Sequence, residues 1–243
     1  MNGANYIKVV TDCIEKAWST QKDTIVAAAD LVAEAIEKKN NVFVFGCSHA
    51  GILAEEVFYR TGGLAVINPI FFPGFMLNTR PITMTSSLER IPGLGKTILS
   101  KNNVKADDVL ILHSVSGRNT VPVEMAIEAK AMGVRTICIT NLDYSNGVTS
   151  RHPSGKRLFE VCDIVIDNCG RIGDSAMDVG SITCSPTSTV IGAAIMQAIV
   201  CSTVDELLRR GAAPEVFCSS NVEGGDAINQ VYIDKYRKEI PIL

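Results

Sequence analysis

The sequence predicts an α/β fold: a three-layer sandwich with helices on both faces of a five-stranded parallel sheet, preceded by an N-terminal helical hairpin. Two observations carry this. Five short apolar runs, VFVF at 42–45, LAVIN at 64–68, VLILH at 109–113, TICIT at 136–140 and IVID at 164–167, are continuous rather than alternating, so each strand is buried on both faces. They also alternate with helical stretches, which is the pattern of parallel strands joined by crossovers.

The elements follow in order. Tyr6, Val9, Val10, Cys13, Ile14 and Ala17 repeat at helical spacing, and Ile25, Ala28, Ala29, Val32, Ala35 and Ile36 repeat it beyond Ser19 and Thr20. Residues 1–40 therefore read as two helices with a break at that hydroxyl pair. The first strand runs into a glycine turn and a helix to about Tyr59; the third runs into a polar turn and a helix from Val121 to Met132, which Gly133 stops. Residues 68–100 contain four of the nine prolines and offer no strand. A connection of that length inside a compact domain is more often functional than not. From Pro214 a polar turn leads to a short helix, Ala227 to Tyr236. The whole reads as one domain, 1–243: hairpin 1–40, core 41–210 and a C-terminal extension 211–243.

With 243 residues, 47% hydrophobic and 20% charged, the chain has ample apolar surface to fold. A net charge of −3 gives no general attraction to nucleic acid or anionic membranes. The uncharged run Val179–Val204 is long enough to span a bilayer, but its first half, GSITCSPTST, would leave polar groups unsatisfied there, so it reads as a loop feeding a buried helix that also serves as a subunit contact. The N-terminus lacks the pattern of a secretory signal, which points to the cytoplasm. Eight cysteines without a CxxC pair argue against structural zinc or a disulfide framework, and no metal or other cofactor is expected. Cys47 alone is a candidate for lining a site.

Three familiar chemistries fit poorly. Gly46-Cys47-Ser48-His49-Ala50-Gly51 departs from the dinucleotide fingerprint at Ser48, and the second strand ends in Asn68 instead of an acidic residue. A hydrolase triad needs a late histidine, whereas the histidines are 49, 113 and 152. GLGKT at 93–97 lacks the first Walker glycine, Arg90 standing in its place. What remains is a pair of hydroxyl-rich turns at the C-terminal edge of one sheet. Gly46 and Ser48 form the first, with Ser48 open to a second reading as a helix cap. Ser114, Ser116, Gly117, Asn119 and Thr120 form the second, and converging hydroxyls and backbone N–H groups make a phosphate cradle that needs no lysine.

Together VFVFGCSHAG and LILHSVSGRNTVPVEMAIEAKAMGVRTICIT resemble the SIS (sugar isomerase) domain, in its stand-alone branch related to phosphoheptose isomerases, over roughly residues 1–210. The resemblance implies a flavodoxin-like parallel sheet, a phosphorylated sugar as ligand, no nucleic-acid or membrane partner, and a homodimer or homotetramer with active sites near subunit contacts. It implies that Ser114, Ser116, Asn119 and Thr120 hold the phosphate, although the relatives carry Thr where Asn119 stands. Ser48-His49 followed by Ala54, Glu55, Glu56 and Arg60 is similar to the relatives' glutamate motif and makes Glu56 the implied base, two residues closer to the serine than in the relatives. The alternative for Glu56 is a solvated helix face paired i,i+4 with Arg60. The relatives' partner histidine falls on the helix at 187–200, where this chain has Thr187, Ser188 and Thr189; these hydroxyls can contact sugar but cannot titrate near neutrality. Glu89, His49 and Glu223 are the candidates for the missing acid. Two functions fit: an aldose–ketose isomerase of sugar phosphates or a related phosphosugar enzyme, and a non-catalytic sugar-phosphate sensor or protein-docking module.

Overall fold

The computed structural model describes residues 2–79 and 81–243. The N-terminal region is one helix, α1 (Asn2–Glu37), where the sequence reading expected a hairpin. No glycine or proline interrupts residues 4–40, and the two residues taken for a boundary are satisfied inside the helix: Ser19 Oγ and Thr20 Oγ1 both donate to the Lys16 carbonyl, at 3.1 and 2.8 Å. Hydroxyls bonded back onto the preceding turn do not end a helix.

Next come β1 (Val42–Gly46), α2 (Ile52–Val57) and β2 (Ile67–Pro69). The second strand starts later than LAVIN suggests, because Leu64 bridges antiparallel to Val216 and pairing with β1 begins only at Ile67. Residues 70–100, expected to lack strands, hold short helices, α3 (Met84–Leu88) and α4 (Leu94–Leu99). Then follow β3 (Val109–His113), α5 (Thr120–Ala131), β4 (Arg135–Thr140), α6 (Leu142–Asn146) and β5 (Ile164–Asp167). A hairpin, β6 (Met177–Val179) and β7 (Ile182–Cys184), precedes α7 (Ser188–Arg209) and α8 (Gly225–Tyr236).

The five strands β2-β1-β3-β4-β5 are all parallel. Alternate residues feed two cores. Val42, Val44, Val109, Ile111, Ile137 and Ile139 pack under α1, α2 and α7, while Phe43, Phe45, Leu110, Leu112 and Cys138 pack under α4 and α5. Each fully buried side chain of the Val, Leu, Ile or Phe type stabilises by about 1.5–3 kcal/mol. The long apolar helix α7 buries Ile191, Ile195, Met196, Ile199 and Val200 against that first core and runs parallel to α1, with Thr203 Oγ1 donating to the Ala29 carbonyl and Arg210 paired with Glu37. By length and composition it is the one helix among the described residues capable of crossing a membrane, yet its buried stripe closes the sheet. Beside that seam the sole tryptophan, Trp18 on α1, stays half-exposed over a shallow apolar groove with Ile14, Ala194 and Ala198.

Candidate phosphate site

The sheet reverses its winding at β1, which has β2 on one side and β3 on the other. In open α/β sheets ligands bind in the crevice beyond the carboxyl ends of the strands at that switch point. Both hydroxyl-rich turns emerge there, since Gly46 and His113 are register partners at the ends of β1 and β3.

The first turn needs its glycine: a Cβ on Gly46 would lie 2.4 Å from the Ala50 carbonyl oxygen. Ser48 sits at φ +56°, a left-handed conformation unusual for a non-glycine residue. Its side chain caps neither the 3₁₀ turn Ser48–Gly51 nor α2, which removes the helix-cap reading. His49 is exposed. The turn is tied to β3 by His113, whose Nδ1–H donates to the Ala50 carbonyl at 3.1 Å. Burial pulls the His113 imidazole below its usual range, so the ring is neutral; its Nε2 is buried with no partner among the described residues. The ring lies against α7, 3.5 Å from where a Cβ on Gly192 would be. A histidine thus reaches the α7 helix from β3, in a segment whose own sequence has none.

The second turn is fixed from behind. Thr140 Oγ1 donates to the Ser114 carbonyl at 2.7 Å, Asn141 N to Val115 O at 3.0 Å and Leu158 N to Gly117 O at 2.8 Å, and Gly117 takes φ +58°. A strap, residues 149–151, runs along its outer side. Arg151 N donates to Arg118 O at 2.8 Å, Arg118 Nε to Thr149 O at 3.0 Å, Thr120 Oγ1 to Arg151 O at 3.0 Å, and Arg151 Nη1 to Asn119 Oδ1 at 2.6 Å. These bonds use carbonyls and side chains. The N–H groups of Ser116, Gly117, Arg118 and Asn119, and the hydroxyls of Ser48, Ser114 and Ser116, have no hydrogen-bond partner among the described residues, and no side chain caps α5. Unpaired amides at a helix N-terminus, beside hydroxyls, are the donor set an oxyanion needs.

Glu89 joins the two turns. Its carbonyl accepts from Val121 N at 3.0 Å, which draws the end of α3 onto the start of α5. Burial pushes its carboxyl above the usual range, against the Asn119 hydrogen bond and the Arg90 and Arg151 charges. Burial, and then the Glu89 charge, push the Cys47 thiol well up, so that thiol stays protonated near neutrality.

Other expected residues lie elsewhere. Glu56 pairs with Arg60 and accepts from Gln197 Nε2 of α7 at 3.3 Å, the i,i+4 arrangement that was the alternative to a catalytic role. Thr187 and Ser188 are buried and taken up by Asp174, which accepts from their amides at 3.0 and 2.8 Å and from Ser188 Oγ at 2.5 Å. Glu223 is exposed in the tail turn. GLGKT holds no free anion site: Glu124 accepts from Gly93 N at 2.7 Å and Lys96 N at 3.2 Å.

The sequence reading passed over Arg118, Arg151, His113 and Asp174. Arg118 and His113 had a visible signal, both standing inside the LILHSVSGRNT run; Arg151 reaches the second turn, and Asp174 the start of α7, only through the tertiary fold. The hairpin β6–β7 also had one, a two-residue Gly-Ser loop between short strand-like runs.

The profile of the SIS domain matches residues 5–141. A UPF0309 protein of Shouchella clausii is 45% identical over 97% of this chain and 96% of its own, and one of Oceanobacillus iheyensis is 43% identical over the same shares. Among solved structures, a phosphoheptose isomerase from Francisella tularensis superposes with TM-score 0.51 at 14% identity, and one from Neisseria gonorrhoeae with TM-score 0.53 at 16%; each covers 84% of this chain and 96% of the other. At such identities these two likenesses establish the common fold.

Proposed function

The chain belongs to the SIS-domain family, and from that premise we propose that it binds a sugar phosphate at the Ser114–Thr120 turn and interconverts aldose and ketose forms. The observation that carries this reading is the run of unpaired amides from Ser116 to Asn119, flanked by the hydroxyls of Ser48, Ser114 and Ser116. Gly46 and Gly117 let the backbone come close, and Asn119 and Thr120 shape the turn through Arg151.

Isomerisation needs a base that moves a proton between adjacent carbons and a group that shuttles the oxygen proton. Glu89 is assigned as the base because it stands half-buried between the two turns and resists ionisation, which brings its carboxyl nearer the operating pH. Exposed His49, next to Ser48, is assigned to the oxygen proton. Glu56 is assigned to holding α2 on α7 through Gln197. Thr187 and Ser188 reach the sugar only if Asp174 releases them. Cytoplasmic residence and a homodimer or homotetramer contacting through the α1–α7 groove belong to the same proposal. A second reading, a sensor without turnover, is favoured by one observation: the α7 hydroxyls are already engaged by Asp174.

The test is a titration of sugar phosphates followed by NMR of each ligand for isomer formation. Ser116→Ala is expected to weaken a phosphorylated sugar about tenfold and its dephosphorylated form not at all. Glu89→Gln is expected to cut turnover about 10²–10⁴-fold with binding nearly unchanged, and Glu56→Gln less than about tenfold. The reverse order of the two glutamates returns the base to Glu56; binding without interconversion makes the protein a sensor.

A further inference from the structure

The arginines around the second turn exceed what its fold requires. Arg118 lies within the turn, Arg151 on the strap bonded to it at 2.8 Å, and Arg90 follows Glu89 at the end of α3. Arg118 places its Nε and Nη2 on Thr149, at 3.0 and 3.3 Å, and Arg151 one N–H on Asn119. None of the three forms an ion pair among the described residues, although ten other Lys or Arg side chains do. They lie close enough to repel: partial burial, then the Arg118 and Arg90 charges, pull the Arg151 value down. Like charges so placed disfavour each other, and here they gather in a chain whose net charge is −3. The carboxyl facing them, Glu89, makes no ion pair to any of them and resists ionisation.

Guanidinium groups present planar forks that match carboxylate and phosphate oxygens, and the turn beneath already provides amides and hydroxyls for one oxyanion. We infer that Arg90, Arg118 and Arg151 form a second anion subsite above the turn, so that the ligand is a sugar phosphate bearing a further phosphate or carboxylate group. This rests on the phosphate role proposed for the Ser114–Thr120 turn.

Fructose 6-phosphate, fructose 1,6-bisphosphate and 6-phosphogluconate are titrated into the full chain by calorimetry. The two ligands with a second anionic group are expected to bind about ten- to a hundredfold more tightly than fructose 6-phosphate. Arg90→Gln is expected to reduce that advantage to within about threefold while leaving fructose 6-phosphate nearly unchanged, and Arg90→Lys to fall between. Arg90 is exposed and its side chain bonds to nothing among the described residues, so its substitution leaves folding alone. Equal affinity for all three ligands in the wild type, no binding of any, or Arg90 variants that weaken ligands with one and with two anionic groups alike would overturn the subsite. Ser116→Ala separates the two ideas: parallel weakening of all three supports the turn as the phosphate site, whereas no change there with a lost advantage in the arginine variants removes the turn and keeps the rim.

Discussion

The N-termini of α7 and α5 lie at the same edge of the sheet and are treated in opposite ways. At α7 the protein seats its own carboxylate, Asp174, on two amides and two hydroxyls, and it does so from φ +59°. At α5 the amides and hydroxyls converge with no carboxylate on them, and the side chains gathered around are cationic. The small helix α4 follows the first pattern, with Glu124. An unpartnered helix end is costly to bury, so a chain that fills two such ends from within and leaves a third has arranged the third for something else.

Three substitutions press on that contrast. Asp174→Ala removes the carboxylate that satisfies buried Thr187 and Ser188, and the loss of a cap together with unpaired hydroxyls is expected to cost about 2 kcal/mol, lowering Tm by about 4–8 °C. Asp174→Asn restores part of it. An unchanged Tm for the alanine variant would show that α7 needs no internal carboxylate and would dissolve the contrast. Glu124→Ala is expected to lower Tm by about 2–4 °C, as for a single helix cap.

The smallest effect has the opposite sign. Because burial raises the Glu89 pKa in the folded state, the folded protein holds that proton more tightly than the unfolded chain. The stability from this proton is complete below the unfolded value of about 4.3 and is lost as pH rises through the folded value. Glu89→Gln, which cannot ionise, is therefore expected to raise Tm by about 1–3 °C at pH 7.5, with the gain vanishing near pH 4. A gain that persists at low pH would remove ionisation as its cause.

Strands buried on both faces announce themselves through unbroken apolar runs, and β1, β3, β4 and β5 lie within a residue of where those runs place them. The two serine turns were legible for the same reason, since they follow immediately on such strands. Ser19 and Thr20 misled because a hydroxyl pair looks alike whether it caps a helix or bonds back within one. LAVIN misled because its first residues pair with Val216, far along the chain. Glu89 was legible as a candidate acid, but its place beside the turns was not, since its carbonyl meets Val121 N, a contact across 32 positions that no local pattern encodes.

Trp18 gives the molecule a reporter of its own. As the sole tryptophan, it contributes all of the red-edge ultraviolet emission, and its indole stands half in water on the α1–α7 face, away from both serine turns. Its fluorescence is therefore tuned to hydration of that face, and a covering surface would shift the emission to the blue. Association can thus be followed in one unlabelled sample.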